Sequence, residues 1–146
     1  MVALHHIKLA LILSIGTVPA VARPDHTKSS IQSSSVTIEK NGALAHVVSG
    51  NETAATCASF RLTAADVREF FARAKRVSAM TYGHQLDASN CVVTGTAIMT
   101  NGVSGRWTID LERRGEILLV DRTRQYYYCA TCSSRLYDEV DTDKAP

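Results

Sequence analysis

The sequence predicts an α+β fold: one amphipathic helix packed on an antiparallel sheet, the sheet made of a C-terminal β-meander and an N-terminal hairpin, stapled by disulfides. Three observations carry this expectation. One stretch, "LTAADVREFFARAKRV", keeps a helical period over several turns. After Cys91 the chain alternates apolar and polar residues between closely spaced turn signals. All four cysteines, Cys57, Cys91, Cys129 and Cys132, lie downstream of a segment laid out as an export signal, and an oxidising compartment lets them pair.

That segment, "MVALHHIKLALILSIGTVPAVARPD", carries Lys8 near its front, an apolar run from Leu9 to Val18, and small residues Ala20 and Ala22 in A-x-A order. The run is about half the ~20 residues a membrane-crossing helix needs. Residues 1–22 are therefore expected to be a signal peptide cleaved after Ala22, leaving a periplasmic or secreted chain with no stable membrane insertion. No cysteine at the cleavage point offers a lipid anchor. Cleavage of the 146-residue chain leaves about 120 residues, which suits one domain. The formal net charge of +2 loses Lys8 and approaches zero, giving no electrostatic reason to expect nucleic acid or an anionic membrane as partner.

Residues 23–35, "RPDHTKSSIQSSS", are polar, Ser-rich and aperiodic, and are expected to be a flexible leader. The single domain then runs over 36–137. Val36 and Ile38, an Asn41-Gly42 pair and the alternation from Ala43 to Val48 predict the first hairpin, because Asn-Gly tolerates the positive φ of a tight turn. "TCASFRL", with Cys57 and Phe60, reads as a third strand. In the helix, Thr63 and Asp66 form a capping-box pattern and Leu62 can staple onto Val67. Val67, Phe70, Phe71, Ala74 and Val77 share one face, while Arg68, Arg73, Lys75 and Arg76 share the other, with Glu69 four residues ahead of Arg73.

The meander follows. Cys91–Thr100 and Val103–Glu112 flank Asn101-Gly102, "RRGE" leads into "ILLV", and "DRTR" leads into "QYYYC". In the second of these strands Val103, Gly105, Trp107, Ile109 and Leu111 fall on one face. Ser104, Arg106, Thr108, Asp110 and Glu112 fall on the other, so Asp110 and Glu112 are expected to make surface ion pairs with Arg106. Residues 138–146 form an acidic tail.

The C-x-x-C pair in "QYYYCATCSS" admits three chemistries. A thioredoxin-like centre needs its first cysteine at a helix N-terminus within a βαβ framework, whereas Cys129 follows a strand. A zinc site needs a second closely spaced pair, and Cys57, Cys91 and His84 are isolated. Two disulfides remain. Residues three apart on a strand are ~10 Å apart, beyond the ~7 Å reach of a bridge. Loop entropy also favours distant pairing, ~4 against ~2 kcal/mol. Each of Cys129 and Cys132 is accordingly expected to bond back to Cys57 or Cys91, although spacing alone does not fix connectivity.

"TYGHQLDASNC" clusters His84, Asp87 and Ser89 without the mutual orientation a catalytic triad requires, so His84 reads as a loop-stabilising residue. No nucleophile elbow, zinc-protease motif, phosphate loop or dinucleotide fingerprint occurs. The sequence therefore assigns no catalytic residue, metal or cofactor. Three consecutive tyrosines cannot share one strand face: either Tyr127 or the pair Tyr126 and Tyr128 points away from the core. With Arg122 and Arg124, and with His84, Tyr126, Tyr127 and Tyr128 mark a candidate binding surface.

From Cys57 to Cys132 the order of pieces, with Tyr82, His84, Asp87, Cys91, Gly95, Gly105, Trp107, Cys129 and Cys132 at the matching positions, resembles a group of small exported proteins of Gram-negative bacteria to which no activity is assigned. The resemblance implies a periplasmic location and a disulfide scaffold, and it brings no catalytic residue. Some small periplasmic proteins of this kind are immunity or inhibitor proteins. The expectation is thus a non-enzymatic binding protein that contacts a periplasmic protein partner. The alternative is a thiol–disulfide redox protein using Cys129 and Cys132.

Overall fold

The computed structural model describes residues 31, 35–46, 48 and 50–132. The expected signal peptide, most of the leader, the last residues of the domain and the acidic tail lie outside the described residues. The elements run β1 (Thr37–Leu44), α1 (Ala54–Cys57), α2 (Ala64–Arg73), β2 (Lys75–Val77), α3 (Ala79–His84), β3 (Cys91–Ile98), β4 (Ser104–Asp110), β5 (Arg114–Leu119) and β6 (Arg124–Tyr128). The six strands form one sheet, ordered β1-β3-β4-β5-β6-β2, and every pairing is antiparallel. The expected α+β class and the four-strand meander are present.

Helix α2 begins as its sequence dictates. The Thr63 hydroxyl accepts from the Asp66 N–H at 3.2 Å, and an Asp66 carboxylate oxygen accepts from the Thr63 N–H at 2.7 Å. Leu62 and Val67 are both buried at this end. Phe70 and Phe71 go under the sheet with Val67, each such side chain contributing about 1.5–3 kcal/mol of burial. Phe71 meets Tyr127 edge to face at 5.4 Å, and a Cβ on Gly115 would stand 2.5 Å from Phe70. Glycine in β5 is what lets the helix approach this closely.

The helix stops earlier than its periodicity suggests. Ala74 is extended, with ψ 141°, and Lys75–Val77 pair with Tyr128–Tyr126 as an edge strand. Val77 therefore belongs to the sheet rather than to the helix face, because β6 offers its backbone an unpaired edge. The strand is short and carries Lys75 and Arg76, both exposed, which discourages pairing with another chain.

The first hairpin is not formed. Asn41 and Gly42 lie inside β1, a single strand whose register on β3 shifts on either side of Lys40. The Asn41 amide is engaged elsewhere: its Nδ2 donates to the Leu62 carbonyl and its Oδ1 accepts from the Leu62 N–H, both at 2.9 Å. Gly42 has φ +70°, and a Cβ there would stand 2.6 Å from the Cys57 carbonyl oxygen. Asn41 thus ties the segment between α1 and α2 to the edge strand, and Gly42 lets the end of α1 lie close against it. The expected strand "TCASFRL" is likewise replaced, by α1 capped by Thr53 and a loop. The sheet also reaches back into the expected leader: Ile31 bridges Met99, and Ser35 Oγ accepts from the Ile98 N–H at 3.0 Å.

Both disulfides form, with a connectivity opposite to the expectation. Cys57 bonds Cys91 across 4.8 Å between Cα atoms, and Cys129 bonds Cys132 across 5.4 Å. The chain turns directly after β6, where the Cys129 N–H donates to the Arg113 carbonyl, and this removes the extended geometry that excluded the short ring. Entropy of the unfolded chain ranks pairings, but the folded positions of Cys57 on α1 and Cys91 on β3 decide them.

Three hairpins share one turn design. Met99 and Val103 close the first and Leu119 and Thr123 the last, each with an N–H to carbonyl bond around three loop residues. The last loop residue takes a left-handed conformation: Gly102 at φ +80°, Arg122 at φ +68° and, in the turn before β5, Arg113 at φ +64°. For a side chain other than glycine this conformation costs about 1–2 kcal/mol.

Candidate functional site

The α2 face of the sheet is closed by the core, whereas the second face is covered only at one end. Register defines three rows on it. Thr37, Thr96, Arg106, Leu118 and Arg124 stand opposite one another across five strands. Thr94, Thr108, Glu116, Tyr126 and Val77 form the next row, and Val92, Asp110, Arg114, Tyr128 and Lys75 the last.

Helix α3 roofs the last row. The Tyr82 ring lies 4.6 Å from the Tyr126 ring, and the Arg114 guanidinium sits 4.6 Å from the Tyr82 centroid. Arg114 Nε donates to Asp110 Oδ2 at 2.7 Å, Arg114 Nη1 to the Tyr82 carbonyl at 3.0 Å, and the Arg114 N–H to Asp110 Oδ1 at 3.0 Å. Asp110 is therefore a buried partner of Arg114, only 3 % exposed, and not the surface partner of Arg106. Burial pushes its carboxyl up to about 6, against the pull of Arg114. Tyr82 is raised as well, by burial and then by Asp110. Arg106 pairs instead with Glu39, at 3.4 Å and in solvent.

Beyond this roof the face is open. Ser35, Thr37, Thr96, Ile98, Ser104, Arg106, Leu118 and Val120 line a shallow groove of about 630 Å³. Ile98 and Val120 are exposed large apolar residues, Val120 to 75 %. The rim continues into the β5–β6 turn, where Arg122 is exposed and Arg124 pairs with Glu116. Such a surface, apolar along its floor with arginines at its edge, is chemically suited to protein contact.

The residues singled out in the sequence divide between the two faces. Tyr127 is 1 % exposed and belongs to the core, so it is not part of any surface. Tyr126 and Tyr128 are half-buried on the second face, and Tyr126 lies beneath Tyr82. Arg122 and Arg124 stand at the open end, while exposed His84 ends α3 at the roofed side. Missed from sequence were Ile98, at the end of β3, and Leu118 and Val120, because "ILLV" alone does not say which of its residues faces the helix. Arg106 and Ser104 were readable as solvent-facing from their alternation with Trp107.

His84, Asp87 and Ser89 do not assemble. His84 and Asp87 are exposed, whereas Ser89 is buried, donating to Glu52 Oε1 at 3.1 Å and accepting from the Cys91 N–H at 3.0 Å. Glu52 also accepts from the Asn90 N–H, and its own backbone N–H together with these bonds holds its carboxyl below the usual range. The cluster therefore ties the 48–52 loop to the start of β3, where Asn90 grips Val48 through both main-chain groups.

The four cysteines are all bridged and buried, with Cys129 at a strand end rather than a helix start. Among the described residues no group of three His, Cys, Asp or Glu is placed to hold a metal, and no helix is long and apolar enough to cross a membrane. The two disulfides fit an oxidising environment outside the cytoplasm. No protein-family model, curated protein or solved structure matches the chain.

Proposed function

We propose that this chain is a periplasmic or secreted binding protein, immunity- or inhibitor-like in action, that works by contact between the open half of its second sheet face and a partner protein. The observation that supports this reading is the half-covered face: α3 shields one end, and the other presents Ile98, Leu118 and Val120 beside Arg106 and Arg124. A disulfide-stapled sheet holds such a surface rigid, so little freedom is lost on binding. The export layout of residues 1–22 and the resemblance to small exported proteins support the compartment.

The test compares wild type with Arg106→Glu/Leu118→Asp as affinity baits in periplasmic extract. The wild type is expected to retain one protein in stoichiometric amount and the double variant to lose it. Equal retention by both would remove the open face as the contact.

The redox reading has one observation in its favour, the C-x-x-C bridge with Ala130 and Thr131 exposed inside its ring. The purified protein is expected to resist mild reductant, as a staple does.

A further inference from the structure

We propose that this chain's own acidic tail covers the β2 edge of the sheet, Asp138, Glu139 and Val140 seating beside Lys75, Arg76 and Val77 as a further strand parallel to β2. The proposal is independent of the protein-contact reading above, which concerns the β1-β3-β4-β5 end.

β6 pairs with one side of β2 through Tyr128, Tyr127 and Tyr126, and no described strand lies on the other side. Such an edge offers unpaired main-chain groups to any segment whose side chains match it. Lys75 and Arg76 are both exposed and, as successive strand residues, point to opposite faces. Among the described residues neither has an ion-pair or hydrogen-bond partner. Nothing close by balances them: residues 74–78, the facing strand β6 and helix α3 contain no acid. Carboxylates on the neighbouring elements are taken, Glu69 by Arg73, Asp110 by Arg114 and Glu116 by Arg124. The negative end of the α2 dipole is met by Arg73 in its last turn. Two cations, one on each face of an unpaired edge, are left over.

The chain itself carries the match. Residues 36–137 hold twelve Lys and Arg against nine Asp and Glu, whereas residues 138–146 hold one against four, so the tail has the charge that the domain lacks. The route is short. Cys129 follows the residue paired with Lys75, its bridge holds the Cys132 Cα at 5.4 Å, and Arg73 Nη2 donates to the Thr131 carbonyl. The described residues thus end against the junction of α2 and β2. Six residue steps from Cys132 to Asp138 reach about 20 Å, ample for a strand lying ~5 Å beyond β2, and so short a tether keeps the local concentration of the tail high. A segment arriving at the Lys75 end runs toward Val77, in the direction of β2. Its side chains then meet Lys75 with Asp138, Arg76 with Glu139 and Val77 with Val140, each pair on one face of the sheet. A slip of one residue either way loses one ion pair and sets an acid beside Val77. A second copy of β2 placed there would bring only further cations.

Amide exchange and nuclear Overhauser contacts, measured by NMR on the full mature chain, test the proposal. The Glu139, Val140 and Asp141 amides are expected to exchange about 10-fold more slowly than in a free peptide of residues 133–146, since three cross-strand pairs each contribute roughly 1.5–5-fold. Contacts between Val77 and Val140 are expected with them. Lys75→Glu/Arg76→Glu should abolish both signals, and adding Asp138→Lys/Glu139→Arg should restore them with the charges exchanged. Asp138→Lys/Glu139→Arg alone, which leaves the sheet unaltered, should abolish both as well. Peptide-like exchange at residues 139–141, with β2 shifts unchanged on removal of residues 138–146, would overturn the proposal. So would slow exchange that survives Lys75→Glu/Arg76→Glu, because the tail would then sit elsewhere. Val77–Val140 contacts between labelled and unlabelled chains would overturn the seat within one chain in favour of a second copy.

Discussion

At the residue scale, Asp110 and Arg114 set the character of the covered end of the second face. Their pair is formed beneath Tyr82 with side chains 4 % and 7 % exposed, so the charges meet in a medium that favours neutral forms. Asp110 accordingly titrates near 6 in the folded chain against 3.8 as a free group. Between those values the native state holds more proton than the unfolded state, and stability falls as pH rises through that window. Lowering the pH from about 7 to about 5 should therefore stabilise the wild type relative to Asp110→Asn in denaturant titrations. A relative loss over the same window would mean that the pair favours ionised Asp110. Glu52 acts with the opposite sign: its carboxyl is held low by its own backbone N–H, then by Asn90 and Ser89, and its contribution disappears as the pH falls below the usual carboxylate range.

At the element scale, the two disulfides close loops of very different size, with separations of 34 and 3 residues. The chain-entropy argument assigns about 4 kcal/mol to Cys57–Cys91 and about 2 kcal/mol to Cys129–Cys132. Replacing Cys57 and Cys91 by Ala should thus lower the denaturation midpoint more than replacing Cys129 and Cys132; the reverse order would show that the short ring anchors β6 and the turn after it. The elements that sequence made legible are those whose signal is local. Thr63 and Asp66 cap α2 through bonds three residues apart, and Asn101-Gly102 marks its hairpin directly. Elements fixed by distant partners were not legible. Asn41 resembles a turn residue until Leu62, 21 positions away, takes both ends of its amide. Lys75–Val77 continue a helical pattern until β6 offers an edge, and "QLDASN" conceals the grip of Asn90 on Val48. For the site, the alternation around Trp107 was enough to place Arg106 in solvent. The groove floor at Leu118 required the register of β5 against β4, which no local pattern contains.

At the scale of the whole molecule, the chain builds one hydrophobic layer between α2 and the sheet and spends its remaining coverage on half of the opposite face. The helix and both bridges brace the sheet from the core side, while α3 shields the Asp110–Arg114 pair, leaving the β1-β3-β4-β5 end exposed with its arginines and apolar side chains. On the proposed reading these features belong together, because the bridges that brace the sheet form where thiols are oxidised. Peptide mapping of the mature protein, isolated from its native compartment without reductant, tests that account most directly. The result predicted is a chain beginning at Arg23 with Cys57 joined to Cys91 and Cys129 joined to Cys132. Four free thiols on a chain that still carries residues 1–22 would contradict it.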